Sequence, residues 1–133
     1  MITGIDHIGI AVKSLDERVP FYRDVLGMGE PEIEEVPQQK VRTAIFNTAH
    51  GRVELLEPTA DDSPIARYMA KNGEGIHHVA LGTDNITGAI HSVTEAELRM
   101  IDPEPRGGAG GAEIAFVHPK STGGVLLEFC KRD

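Results

Sequence analysis

The sequence predicts an α+β fold made of two βαβββ modules. Two observations carry that prediction. The chain repeats itself at an offset of 75 − 4 = 71 residues, which superposes Gly4-Ile5-Asp6-His7-Ile8 on Gly75-Ile76-His77-His78-Val79. Each copy then runs from a strand through a capped helix into three short strand-like segments. A length of 133 residues suits a single domain with a substantial core. Within it, module 1 is expected at about 4–58, a linker helix at about 63–72 and module 2 at about 75–130.

The first strand, 4–12, alternates Ile8, Ile10 and Val12, which read as core, with His7, Gly9 and Ala11 on the other face; in the second copy Val79 and Leu81 read as core opposite His78. Ser14 and Glu17 have capping-box spacing. Leu15, Val19 and Tyr22 then form one helical stripe, with Pro20 expected to bend the helix and Gly27 to stop it. Strands are expected at 31–36, 41–47 and 52–57, the last ended by Pro58. Ser63-Pro64 reads as a cap followed by proline at the first helical position. In the second copy, strand 75–82 leads to Asn85, which falls on Ser14 at the same offset, and to the stripe Ile86, Ile90, Val93. Thr87-Gly88 are weak helix formers, the glycine costing about 1 kcal/mol. Short strands follow near 99–101, 113–118 and 125–130. The loop Gly107-Gly108-Ala109-Gly110-Gly111 is too glycine-rich for a regular element; it reads as a lid, a close backbone approach to ligand, or a linker. It is no P-loop, because Ala112-Glu113 follows rather than Lys-Ser/Thr.

A net charge of −8 argues against nucleic acid and anionic membranes, which need clustered Lys and Arg. Aromatic content of 5 % with no Trp argues against base stacking. No apolar run approaches the ~20 residues that cross a bilayer. The start Met1-Ile2-Thr3-Gly4 lacks a secretory signature, and Cys130 is the only cysteine, so a cytoplasmic protein is expected.

Both His7 and His78 share a strand face with small residues, which leave open volume beside each imidazole. His77 falls on the Val79/Leu81 face and is not expected to be a ligand. Glu54 and Glu128 each interrupt an apolar run in the last strand of a module, where a carboxylate is seldom buried without a partner. Alone, a histidine at a strand start is more often structural, and Glu54 fits an edge strand as well as a metal. The shared offset favours ligation. Two imidazoles and two carboxylates would bind Zn²⁺, Co²⁺, Mn²⁺, Ni²⁺ or Fe²⁺ and leave positions for substrate oxygens. Glu57 is expected to face solvent, His50 to lie in a turn and His91 on an exposed helix face. Spacing leaves His118 open between a substrate contact and a loop residue.

Several segments carry a resemblance: Asp6-His7-Ile8-Gly9-Ile10-Ala11-Val12, Phe21-Tyr22-Arg23-Asp24-Val25-Leu26-Gly27, Val53-Glu54-Leu55-Leu56-Glu57-Pro58, Ser63-Pro64-Ile65-Ala66, Gly75-Ile76-His77-His78-Val79-Ala80, Gly108-Ala109-Gly110-Gly111, and His118-Pro119-Lys120 through Glu128. Over nearly its whole length the chain resembles the vicinal oxygen chelate (glyoxalase/bleomycin resistance) superfamily, and within it the methylmalonyl-CoA epimerase family. The resemblance implies two βαβββ modules forming a curved sheet around a metal site. It implies His7, Glu54, His78 and Glu128 as ligands of one divalent ion (Co, Mn, Zn or Ni), an acyl-CoA substrate and a homodimer. The implied reaction epimerises C2 of methylmalonyl-CoA by proton transfer through a metal-stabilised enolate. Residue 54 is Gln in some epimerases. Some relatives place a second catalytic carboxylate near the position of Thr43, which cannot serve as a base. Glu128 is therefore read as both ligand and base. Lys120 and Arg106 are candidates for the CoA phosphates. The rival readings are a glyoxalase I-type lyase acting on a glutathione hemithioacetal, a ring-cleaving dioxygenase, and a metal-free antibiotic-sequestering module.

Overall fold

The computed structural model describes every residue, Met1–Asp133. The chain forms two compact units: His7–His77, and Met1–Asp6 together with His78–Asp133. They are called the first and second halves below. Strand β1 (Ile2–Ala11) begins in the second half and enters the first at His7.

The first half continues with α1 (Leu15–Pro20), β2 (Glu32–Val36), β3 (Val41–Thr48), β4 (Gly51–Pro58) and α2 (Pro64–Asn72). Its strand order is β2-β3-β4-β1. The β2–β3 and β3–β4 pairs are antiparallel, and β4 runs parallel to β1. A parallel pair needs a long crossover, and α1 with the β2–β3 hairpin supplies it. As expected, the Ser14 hydroxyl caps α1, accepting from the Glu17 N–H at 3.4 Å. Leu15 and Val19 bury the stripe against Val12, Ala44, Phe46 and Leu55. Pro20 does more than bend the helix. It has no N–H to continue the ladder, and beyond it the helix widens into a π turn over Phe21–Val25. There the Leu26 N–H donates to the Phe21 carbonyl five residues back, at 2.9 Å.

The second half contains β5 (Gly75–Thr83, from His78 on), α3 (Ile86–Glu95), β6 (Arg106–Gly107), β7 (Glu113–Val117), α4 (Pro119–Thr122) and β8 (Leu127–Lys131). Its order from β5 is β5-β8-β7-β6, with β5 and β8 parallel and the remaining pairs antiparallel. Asn85 caps α3 by accepting from the Gly88 N–H at 3.0 Å. That contact accounts for the weak helix former: a Cβ at Gly88 would lie 2.5 Å from the Asn85 side-chain nitrogen. Ile86 and Ile90 pack on Ala115, Val117 and Phe129, while Ala80, Ala112, Ile114, Phe116 and Cys130 form a second cluster.

Both halves thus show the βαβββ order. Two local expectations need correction. The strand expected at 99–101 reduces to one bridge, Met100 to Val117. Pro103 and Pro105 lack the N–H groups a ladder needs, so pairing resumes only at Arg106 as β6. The last strand starts at Leu127, not at 125, because Gly123 (φ 79°) and Gly124 (φ 107°) turn the chain out of α4 first. The glycine loop is irregular as expected: β6 ends at Gly107, and Ala109–Gly111 turn tightly across a kink at Gly110, whose φ of 68° is left-handed. Gly108 lets its backbone lie against Ile114, whose Cγ2 would be 2.8 Å from a Cβ at that position.

Candidate functional site

In each half a histidine and a glutamate share one face of a parallel strand pair. In β1, His7, Gly9 and Ala11 are buried while Ile8 and Ile10 are half-buried, so the expectation that the isoleucine face is the core one is corrected: the histidine face is the better covered. Gly9 pairs with Glu54 in the β1–β4 register, which puts Glu54 on the His7 face. The second half repeats this: His78, Ala80 and Gly82 are the buried face of β5, and Ala80 pairs with Glu128 in β8. Each glutamate therefore stands beside the residue two positions after its histidine.

The four side chains are among the few buried polar ones, each at most 6 % exposed. His7 Nδ1 lies 3.4 Å from Glu54 Oε2, and His78 Nε2 lies 3.8 Å from Glu128 Oε2. These separations exceed a charge-assisted hydrogen bond of about 2.7–2.9 Å. Two donor atoms each about 2.1 Å from one ion stand roughly 3–4 Å apart, so the spacing within each pair suits ligation. Neutral imidazole and carboxylate are also the donors that a divalent first-row ion takes. Each half therefore presents a buried pair of the type that holds such an ion.

The sequence repeat sharpens here. The residue opposite Glu54 on β3 is Ile45, and the residue opposite Glu128 on β7 is Phe116. Their offset is 116 − 45 = 71, the same as for the histidines. From Ile45 to Glu54 is 54 − 45 = 9 residues, and from Phe116 to Glu128 is 128 − 116 = 12. The three extra residues thus lie wholly in the β7–β8 connection, which carries α4.

His77 lies on the Val79/Leu81 face, against Tyr68 at 5.0 Å between ring centroids; burial pushes its imidazole down to about 4. Thr43 is buried and its hydroxyl donates to the Glu34 carbonyl at 3.1 Å. The expectation for Glu57 is overturned. It is half-buried, and its carboxylate accepts from the Leu15 N–H at 3.2 Å, at the start of α1. His118 caps α4, its Nδ1 accepting from the Lys120 N–H at 3.1 Å. His50 lies in a turn, and exposed His91 sits 3.0 Å from Glu95. Lys120 is exposed.

Phe116, to which the sequence assigns no role, borders His78, and Asp102 in turn holds the Phe116 backbone. The Phe116 ring meets the His78 imidazole edge-on, at 5.4 Å between centroids and 87°. Asp102 accepts from the Phe116 N–H at 2.8 Å and from Arg106 Nε at 3.1 Å. Phe116 could have been found from its repeat position opposite Glu128. Asp102 carries no sequence signal beyond preceding a proline.

Comparison with known proteins places this geometry. A profile of the Glyoxalase/Bleomycin resistance protein/Dioxygenase superfamily matches residues 6–116. The chain is 36 % identical to the ethylmalonyl-CoA/methylmalonyl-CoA epimerase of Cereibacter sphaeroides over 132 residues, covering 96 % of this chain and 97 % of the relative. It is 38 % identical to the mitochondrial methylmalonyl-CoA epimerase of Mus musculus, covering 93 % of this chain and 70 % of that one. Among solved structures, a Streptomyces coelicolor methylmalonyl-CoA epimerase in complex with 2-nitronate-propionyl-CoA is 39 % identical, with a TM-score of 0.93 over 98 % of this chain and 95 % of the other.

Proposed function

The chain belongs to the glyoxalase/bleomycin resistance protein/dioxygenase superfamily, and from that premise we propose that it is an isomerase interconverting the C2 epimers of methylmalonyl-CoA. The observation that carries the substrate is the likeness to an ethylmalonyl-CoA/methylmalonyl-CoA epimerase along nearly the full length of both chains. An acyl-CoA ligand follows from the same likeness, and no helix is long and apolar enough to cross a membrane.

In this reading His7, Glu54, His78 and Glu128 hold one divalent ion of the Co, Mn, Zn or Ni class. Charge balance supports it. Each carboxylate is nearly excluded from water, where an uncompensated charge is costly, and two carboxylates match one doubly charged cation. The ion, when bound, supplies a Lewis acid that stabilises negative charge developing on the substrate oxygens. The protein's part is then to orient the substrate and move a proton. C2 of the substrate lies between a thioester and a carboxylate, so its proton is removable by a carboxylate base held beside it. Glu128 is assigned that base. Thr43 offers no carboxylate on β3, its hydroxyl being engaged with the Glu34 carbonyl. Glu128 also lies on the half whose β7–β8 connection carries three additional residues that can border a substrate. A homodimer and a cytoplasmic location belong to the same proposal; the single cysteine, Cys130, is buried, which suits a reducing compartment.

Turnover of methylmalonyl-CoA in D₂O tests the reaction. Deuterium is expected at C2 of the product, and prior chelation of metal should abolish both epimerisation and exchange until Co²⁺ is restored. Epimerisation with full retention of the original hydrogen would argue against two solvent-exchanging sites and show the abstracted proton returned by the same base. Turnover that survives complete metal removal would sink the ligand assignment, and turnover of the glutathione hemithioacetal instead would make the protein a lyase.

A further inference from the structure

One carboxylate in the second half organises a stack that ends on a proposed metal ligand. Asp102 Oδ2 accepts from the Phe116 backbone N–H at 2.8 Å, and Oδ1 accepts from Arg106 Nε at 3.1 Å. Pro103 and Pro105 stiffen the short segment between the two acidic and basic partners. Beyond it, β6 pins Arg106 opposite Ile114. The Arg106 guanidinium then lies over the Phe116 ring, 5.6 Å from its centroid. The same ring meets the His78 imidazole edge-on at 5.4 Å, and Phe116 is the direct cross-strand partner of Glu128. Ile45 holds the corresponding register position opposite Glu54, so the first half has no aromatic ring at that place.

We infer that Asp102 and Arg106 are positioning residues that act through the Phe116 ring on the orientation of the His78 imidazole. A ring covered by a cation on one side and abutting an imidazole on another has little freedom to swing. The imidazole it abuts is then held in one orientation before any ligand arrives. Groups around a metal ligand that fix its orientation raise affinity without touching the metal. The inference rests on the reading of His78 as a metal ligand.

The test uses the full-length protein and Co²⁺ as the probe, with affinity measured by titration calorimetry. Arg106 is 41 % exposed, so Arg106→Gln removes the cation with little risk to folding. Arg106→Gln and Asp102→Asn should each weaken Co²⁺ binding about threefold, with the double variant no worse than either single one; Phe116→Leu should weaken it about tenfold. Arg99→Gln, at another exposed arginine of the same half, should change nothing. In the metal-free protein the His78 Cε1–Hε1 NMR signal should be single in the wild type and broadened or doubled in Arg106→Gln. If the wild type binds Co²⁺ and Arg106→Gln binds it equally well, the inference is overturned while the metal reading stands. If the wild type binds no Co²⁺, the metal reading falls, and an unchanged His78 signal in Arg106→Gln overturns the positioning role as well.

Discussion

In the first half the chain turns from β3 into β4 directly, between Thr48 and Gly51; in the second it leaves β7, passes through α4 and two glycines, and enters β8 three residues later than the repeat requires. Yet Glu54 and Glu128 arrive at the same place, each beside the residue two after its histidine. The helices differ as well. Pro20 forces a π turn after α1, while α3 is a single helix of ten residues. The comparison teaches which features are coupled. Parallel register fixes two side chains on one face, so moving it by one residue would send the glutamate to the other face. A connection need only close, and lengthening it by a few residues costs little entropy. The second half has used that latitude next to Glu128, whose cross-strand partner is Phe116.

The largest expected effect asks whether the two carboxylates are chemically equivalent. Glu128→Gln should lower kcat by about a thousandfold or more, as loss of a catalytic base does, while retaining substantial metal. Glu54→Gln should keep appreciable activity. Measuring kcat and metal stoichiometry for both decides the matter; an inactive Glu54 variant beside an active Glu128 variant would reverse the roles of the halves.

Helix docking should break less. Leu15 and Ile86 occupy the same repeat position and both are buried. Leu15→Ala and Ile86→Ala should each cost about 2–5 kcal/mol in urea unfolding. A loss confined to one of them would show that the helices dock by different means.

Caps come next. Ser14→Ala and Asn85→Ala should each cost about 1 kcal/mol. The Asn85 bond is the shorter, 3.0 Å against 3.4 Å, so its loss should be the greater. Equal melting temperatures for the two variants would count against reading cap strength from those distances.

The smallest effect concerns an ion pair of the first half. Glu74 takes a two-point ion pair from Arg18 and also the Lys13 N–H; these hold its carboxyl below the ordinary range. A depressed carboxyl contributes stability above its unfolded pKa and loses it as pH falls through the folded one. Acid titration of stability should therefore be slightly shallower in Glu74→Gln than in the wild type, by an amount limited by solvent screening. An unchanged acid limb would show the pair to be energetically idle.

Much of this was legible in the chain itself. Both strand–cap–helix starts, the two βαβββ orders and the matching strand faces of His7 and His78 follow from alternation, capping residues and a fixed offset, which a linear sequence displays. Which face is buried does not follow: Ile8, Ile10, Val79 and Leu81 read as core, yet they are half-buried while His7 and His78 are buried. The sequence also placed His77 on the wrong face for its neighbour's role, because side chains on a strand alternate. Contacts between residues far apart, or between a side chain and a distant backbone, were not legible. Glu57 looked solvent-facing until its carboxylate was found on the Leu15 N–H, 42 residues away. His118 could be resolved as a cap only when α4 was seen. The strand expected at 99–101 failed because ladder pairing depends on the partner strand and on where prolines interrupt it. Phe116 becomes a neighbour of His78, and Asp102 a neighbour of Phe116, through tertiary pairing alone. Periodicity and caps thus determined the elements and the strand faces that carry His7 and His78, whereas register, hydrogen bonding and ring contacts belong to distances that only the folded chain brings within reach.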